Sequence, residues 1–193
     1  MSMRPDIIKN ISKGRNNKLA GQIGEYLVCA ELGRRDLIAT PFSGNVPAFD
    51  ILAADDLCRA VPIQVKASRC SSWPSDARYW MQISFDPATK AQKNLGPIQI
   101  QNRDLIYVCV AIAPPGGQEK KDRFFILTKA QLQDVCIKGY STWMEEHEWK
   151  RPRAPMSYDC RFSIPALQEY EDNWPLILDR LATARPNQAI EAT

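Results

Sequence analysis

A stripe of apolar side chains at helical spacing is the first strong pattern in the chain. The stripe consists of Leu19, Ile23, Tyr26, Leu27 and Ala30. Residues that recur every three or four positions share one face of a helix. Asn16 or Asn17 can cap its first turn, so the pattern predicts a helix from there to about Arg34.

The edge of this helix holds the first residue with chemical potential. At about 100° per residue, Gln22, Glu25 and Cys29 form a column beside the apolar stripe. Glu25 is therefore expected where the helix meets the core rather than out in water. Gly21 and Gly24 both lower helix propensity, which indicates close approach of another backbone or of a ligand.

Period-two patterns predict strands after the helix. The predicted strands cover residues 36–42, 49–54, 60–67, 79–85, 105–113 and 124–127. In the third, apolar Val61, Ile63 and Val65 alternate with Pro62, Gln64 and Lys66. This strand should therefore have one apolar and one polar face. The fifth is almost wholly apolar, as expected of a strand that is buried on both faces.

The C-terminal third is less regular in pattern. A short helix is predicted over 129–135, an irregular region rich in aromatic and basic residues over 137–163, and helical segments over 166–171 and 175–182. A helix, several strands and then further helices predict an α/β layered domain.

Length and composition limit the classes of protein that need to be considered. With 193 residues, 45% of them hydrophobic and 24% charged, a single globular domain is expected and wholesale disorder is excluded. The first residues lack the apolar stretch of a secretory signal, and no apolar run approaches the roughly 20 residues that span a bilayer. We therefore expect a cytoplasmic protein without a membrane partner. The predicted domain covers 1–183, with 1–15 basic and flexible, 137–183 a C-terminal extension, and 184–193 a disordered tail.

Six scattered cysteines without a Cys-x-x-Cys pair are interpreted as reduced thiols, several of them in the core. A zinc site from Cys136, His147 and Cys160 is conceivable, but their spacing matches no usual ligand pattern.

The distribution of basic residues says more than the net charge of +3. The residues predicted to contact nucleic acid are Lys13, Arg15, Lys18, Ser68, Arg69, Lys150, Arg151 and Arg153. Basic clusters attract phosphates through counterion release, although a solvated surface is the alternative for each cluster. Trp73, Tyr79 and Trp80 could stack on bases, with core packing as the favoured alternative.

Two predicted strands bring together a candidate site. Asp50 is a carboxylate inside an apolar strand, and Gln64 and Lys66 share the polar face of the next strand, roughly 7 Å apart. If the strands form a hairpin around Asp55-Asp56, these three side chains become neighbours. Carboxylate, amide and carbonyl oxygens are hard ligands that suit Mg²⁺. A nearby ammonium can orient a water or stabilise charge on a phosphate.

This arrangement resembles the PD-(D/E)XK, or restriction-endonuclease-like, nuclease superfamily. The superfamily has a core of helix, three strands, helix and strand, in which a central mixed sheet is flanked by helices. Asp50 matches its first acid, Gln64-Val65-Lys66 its acid-x-Lys element, and Glu25 its helical glutamate. Gln64 departs from the commoner Glu or Asp, as in Mrr-type restriction endonucleases.

The resemblance implies a Mg²⁺-dependent nuclease that hydrolyses phosphodiester bonds in DNA, with Mn²⁺ as an alternative ion. Asp50, the Gln64 side-chain oxygen, the Val65 carbonyl and Glu25 would hold the metal, and Lys66 would act on water and phosphate. A small domain that cuts both strands usually pairs up, so a homodimer is also considered. Two alternatives stay open: a catalytically degenerate nucleic-acid-binding module of the same fold, and an unrelated α/β protein with an Asp50–Lys66 ion pair.

Overall fold

The computed structural model describes residues 5–42, 48–114 and 121–184, with side chains from residue 16 onward. The helices are α1 (Pro5–Gly33), α2 (Lys129–Glu146), α3 (Ile164–Leu167) and α4 (Pro175–Thr183). The strands are β1 (Ile38–Pro41), β2 (Ile51–Ala54), β3 (Ala60–Ser68), β4 (Ser72–Asp76), β5 (Met81–Phe85), β6 (Gln92–Pro97), β7 (Ile106–Ala111), β8 (Arg123–Thr128) and β9 (Asp159–Ser163). Short 3₁₀ helices cover Ala77–Tyr79 and Gln168–Tyr170.

A five-stranded sheet in the order β1-β2-β3-β7-β8 forms the centre of the molecule. Strands β3 and β7 are parallel, whereas the other neighbours in this sheet are antiparallel. Helices lie on both faces. The predicted α/β fold with a central mixed sheet flanked by helices is therefore confirmed.

Each face of the sheet buries its own apolar cluster. On one face, α1 and α4 contribute Val28, Leu32 and Ile177, which pack on Ile63 and Val108. On the other face, α2 and the two-stranded sheets β4-β9 and β5-β6 surround Phe125 and Leu127. Strands β7 and β8 are buried on both faces, as the apolar sequence of β7 predicts.

Helix α1 touches β3 most closely at a glycine. A β-carbon added to Gly24 would lie 2.4 Å from the Ala67 side chain and 3.4 Å from Val65. Gly21, one turn earlier, has open space around it. The expected close approach of a backbone is therefore found at Gly24 and not at Gly21. This contact fixes the position of the next residue, Glu25, above β3.

The connection from β3 to β7 differs from the one that the resemblance implies. Residues 69–105 contain no α-helix; they form β4, the 3₁₀ helix and the β5-β6 hairpin instead. Trp73, Trp80 and Met81 of this segment are buried against the sheet. These large side chains supply the burial that a crossover helix would give, and α2 covers the remainder of this face.

Two sequence-based expectations about the elements are wrong. Helix α1 begins at Pro5, well before Asn16. Residues 137–146 continue α2, because Leu132, Cys136, Tyr140 and Met144 repeat every four positions and are all buried. A capping box between Thr128 and Gln131 starts this helix.

The rest of the region predicted to be irregular contains strand β9. Its Cys160 and Phe162 are buried, and it pairs with β4. Residues 1–4 of the predicted domain and nearly all of the predicted tail, 185–193, lie outside the described residues. Of the helices in the described ranges, none has both the length and the apolar character needed to cross a membrane.

The contact at Gly24 gives a stability prediction. Gly24→Ala should lower the free energy of unfolding by about 1–3 kcal/mol, because the added methyl overpacks the helix against Ala67. Gly21→Ala is the matched control and should raise that free energy by roughly 0.5–1 kcal/mol through helix propensity. Urea unfolding of both variants measures the difference. Equal effects of the two substitutions would contradict the close contact.

Candidate active site

The main chain of Asp50 is fixed by both neighbouring strands. Its N–H donates to the Ile63 carbonyl at 2.9 Å, and its own carbonyl accepts from the Phe42 N–H at 3.0 Å. Asp50 therefore directly precedes β2 and continues the ladder by one step. Its side chain begins where regular pairing with β3 stops.

The Asp50 carboxylate takes the place of a strand partner for β3. Its Oδ2 accepts a hydrogen bond from the Val65 N–H at 2.7 Å and another from the Gln64 side-chain Nε2. In an antiparallel pair, the N–H and C=O of one residue point to the same neighbour. The Val65 carbonyl therefore points to the side of Asp50, past the end of β2.

Glu25 approaches this group from α1. Partial burial raises the pKa of its carboxyl, and the negative charge of Asp50 raises it further. The pKa of the Cys29 thiol, one turn along α1, is raised by burial and by the charge of Glu25. No ion pair of the described residues includes Glu25. Asp50 is thus close enough for its charge to act on Glu25, and neither carboxylate has a cation partner among the described residues.

The polar face of β3 carries Gln64 and Lys66, as the alternation predicts. Gln64 is half-buried, and Lys66 is exposed. Among the ion pairs of the described chain, none includes Lys66 or Asp50. The structural ion pair considered as an alternative is therefore not formed, and the Lys66 ammonium is free for another anion.

Tyr107 is a site residue that sequence reasoning missed. It lies opposite Gln64 in the parallel register of β3 and β7. Burial is the main cause of its raised pKa, with smaller effects from the charges of Cys109 and Asp50. In a uniformly apolar strand a tyrosine is indistinguishable from core packing. Its register with Gln64 could be found only from the order of the strands.

The donor set fits a hard divalent cation. Asp50 Oδ1 makes no hydrogen bond within the described residues, and rotation of the Gln64 amide would turn Oε1 toward the same space. With the Val65 carbonyl and Glu25, all candidate ligands are oxygens, which suit Mg²⁺ or Mn²⁺. No group of three or more His, Cys, Asp or Glu side chains able to hold a metal occurs in the described part of the chain. A cation bound here would therefore need the Gln64 amide oxygen and the Val65 carbonyl oxygen in addition to carboxylates.

The residues predicted to contact nucleic acid divide into three groups. Lys18, Arg69, Lys150 and Arg153 are exposed, whereas the side chains of Lys13 and Arg15 lie outside those described. Ser68 and Arg151 have structural partners. The Ser68 hydroxyl donates to the Ser72 carbonyl at 2.9 Å. Arg151 donates to the Asp159 carbonyl at 2.9 Å and lies over the Trp143 ring.

The three aromatic residues considered for base stacking also differ. Trp73 is 2% exposed and stacks on Phe162, and Trp80 is buried and donates to Ser75. Both belong to the core, whereas Tyr79 is 68% exposed.

All six cysteines are free thiols, three of them buried. His147 stacks on Trp143, and no zinc-type group forms in the described ranges.

The comparisons with known proteins give a structural likeness but no family. No protein-family model matches the chain, and no curated protein matches it. Among solved structures, the bacterial homing endonuclease I-Ssp6803I aligns with 86% of this chain and 95% of its own, at 13% identity and a TM-score of 0.47. A likeness of this size does not assign the chain to a family.

The raised pKa of Glu25 predicts how its contribution to stability depends on pH. The folded chain holds the Glu25 proton more tightly than the unfolded chain, so this carboxyl favours folding at low pH and loses that contribution as pH rises through the folded pKa. Glu25→Gln should therefore be more stabilising at about pH 7 than at about pH 3.5. Urea unfolding at both values measures this change.

Glu31, also on α1, is a control for which the opposite dependence of stability on pH is expected. Its carboxylate accepts from Arg35 at 2.8 Å, and this arginine together with Arg34 lowers its pKa. Its stabilising contribution is present at neutral pH and is lost as pH falls through the folded pKa. Glu31→Gln should therefore cost more stability at about pH 7 than at about pH 3.5. The same pH trend in both variants would show that the two carboxyls do not differ in environment.

Proposed function

We propose that this protein is a metal-dependent nuclease of the PD-(D/E)XK type that hydrolyses phosphodiester bonds in DNA. The supporting observation is the position of the Asp50 carboxylate, which is bonded to the Val65 N–H and to Gln64 at the end of β2. The acid that precedes β2 is thus bonded to the Gln-x-Lys element of β3, and the effect of the Asp50 charge on the Glu25 pKa supports Glu25 of α1 as a further member of the site.

Four oxygen ligands would hold the metal. Asp50 Oδ1, the Gln64 side-chain oxygen and the Val65 carbonyl would hold Mg²⁺ or Mn²⁺, and Glu25 would complete the set directly or through a water. A divalent cation supplies Lewis-acid chemistry, which acidifies a water and neutralises charge on a phosphate. The hydrogen bond from the Val65 N–H holds Asp50 in position for this role, because it leaves Oδ2 occupied and Oδ1 free.

Lys66 would act on the substrate. Its side chain is exposed on the same face of β3 as Gln64, and it has no carboxylate partner among the described residues. An ammonium there can orient the attacking water and stabilise the charge that builds on the pentacovalent phosphate. The exposed cations Lys18, Arg69, Lys150 and Arg153 would contact the DNA backbone. A homodimer and a cytoplasmic location, both expected from the sequence, stay predictions.

Removal of the Lys66 ammonium should abolish most of the activity. Lys66→Ala is expected to slow DNA cleavage by roughly 10²–10³-fold, the usual effect of removing one group that stabilises transition-state charge. Lys93→Ala is the matched control, because Lys93 is also exposed on a strand but lies on β6. Cleavage of plasmid, single-stranded and branched DNA with Mg²⁺ measures both variants.

Two outcomes of this assay would overturn the nuclease proposal. One is the absence of cleavage by the parent protein on every form of DNA with both Mg²⁺ and Mn²⁺. The other is a Lys66→Ala variant that cuts as fast as the parent and as Lys93→Ala.

A specific contact favours a second function, a DNA-binding module whose site has lost catalysis. The Gln64 Nε2 donates to Asp50, so the amide presents a donor to the carboxylate where the commoner pattern has a second acid. This hydrogen bond partly satisfies Asp50 without a cation. A module of this kind would bind DNA in a salt-sensitive manner and would show no metal site.

Calorimetry with Mg²⁺ and Mn²⁺ separates the two functions. The nuclease proposal expects metal binding by the parent, its loss in Asp50→Asn, and tighter binding in Gln64→Glu, because a third carboxylate joins the site. If the protein is only a binding module, the parent should give no heat of metal binding, whereas Gln64→Glu can gain a metal site. Metal binding that Asp50→Asn leaves unchanged would place the ion elsewhere and contradict the assignment of Asp50.

A further inference from the structure

A cavity of about 690 Å³ opens on the polar face of β3, next to the candidate active site. The residues that matter for its chemistry are Lys66, Arg78, Tyr79, Gln99, Tyr107 and Lys129. Lys66 belongs both to the candidate site and to this cavity. Tyr107 links the two further, since it faces Gln64 in the sheet register. A molecule in the cavity would therefore lie beside the proposed reacting centre.

The charge of the cavity is positive. Three cations line it, and none of its described lining residues is a carboxylate. Arg78 is neutralised by Asp76 at 2.7 Å. Lys129 donates to the Gln101 carbonyl at 3.0 Å, and no ion pair of the described chain includes it or Lys66. Two lysines thus leave an uncompensated positive charge, which suits phosphate groups.

The cavity also offers an aromatic surface and polar groups. Tyr79, 68% exposed, presents its ring at this site, and the Gln99 side chain is exposed beside it. Tyr107 is 9% exposed and lines the cavity, and its hydroxyl makes no hydrogen bond to another described residue. The hydroxyl keeps some accessible surface, so it is open to the cavity and can bond a polar ligand there.

We propose that this cavity binds an unpaired nucleotide of single-stranded DNA, with the base stacked on Tyr79 and the flanking phosphates against Lys66 and Lys129. This inference rests on the proposed function, because it names the form of DNA that the same site would take. The volume is that of a small-molecule site. A base in a duplex has both faces covered by its neighbours, whereas an unpaired base can stack on an exposed aromatic ring.

Binding without chemistry tests the proposal. Fluorescence anisotropy in EDTA compares a labelled oligothymidylate with a blunt duplex hairpin. The parent should prefer the single strand, and Tyr79→Ala should weaken single-strand binding by roughly five- to one-hundredfold, as expected from the loss of one stacked base. Tyr79→Phe should retain binding. Tyr26→Ala is the control, because Tyr26 is 57% exposed on α1 and does not line the cavity.

The salt dependence of single-strand binding gives a second readout. Lys129→Ala should reduce the slope of log K against log salt by about 0.7, the value for one phosphate contact on a single strand. The proposal is overturned if Tyr79→Ala binds the oligothymidylate like the parent, or if Tyr26→Ala weakens it equally. No preference for the single strand over the hairpin also overturns it.

The same experiment separates this inference from the nuclease proposal. Because EDTA removes the metal, a protein without any cleavage activity can still show the Tyr79-dependent binding, which would leave the cavity assigned and the catalysis refuted. If cleavage depends on Lys66 but single-strand binding does not depend on Tyr79, the proposal for the cavity is refuted and the nuclease proposal is not.

Discussion

Strand β2 pairs with β3 as far as Ile51 and Ile63, so Val65 has no strand partner on that side. The carboxylate of Asp50 accepts the hydrogen bond that a strand carbonyl would otherwise take. A buried backbone N–H must find an acceptor, and here the acceptor is a carboxylate side chain whose second oxygen makes no hydrogen bond within the described residues. The candidate site depends on this use of a carboxylate in place of a strand carbonyl. The hydrogen bond brings a negative charge to the middle of the sheet and keeps the carboxylate oriented.

The contact of Gly24 with β3 adds the second acid. A side chain at this position would push α1 away from Ala67, and Glu25 would move with it. The close approach partly buries Glu25 near Asp50, and the pKa of Glu25 is raised first by this burial and then by repulsion from the Asp50 charge. A fold that gathers like charges in this way gains stability when a cation joins them. Helix packing and the proposed chemistry thus have a common origin.

Strand β3 presents different chemistry on its two faces. Its apolar face completes the core under α1 and α4, and its polar face opens toward the cavity with Lys66. The β4-β9 and β5-β6 sheets, rather than a crossover helix, cover the neighbouring part of the second face. Lys66 stays exposed on this face and lines the same cavity as the exposed Tyr79.

Three features could be predicted from the order of residues alone: the helix with Glu25, the alternation that puts Gln64 and Lys66 on one face of β3, and the mixed α/β order. These follow from periodicity, which depends on neighbours in the chain. The pairing of β4 with β9 and the position of Tyr107 opposite Gln64 could be found only from the folded chain. Such pairings join distant segments, and short strands such as β9 carry too few apolar residues to signal them. Whether a tyrosine packs in the core or lines a cavity depends on the space that the elements opposite it leave.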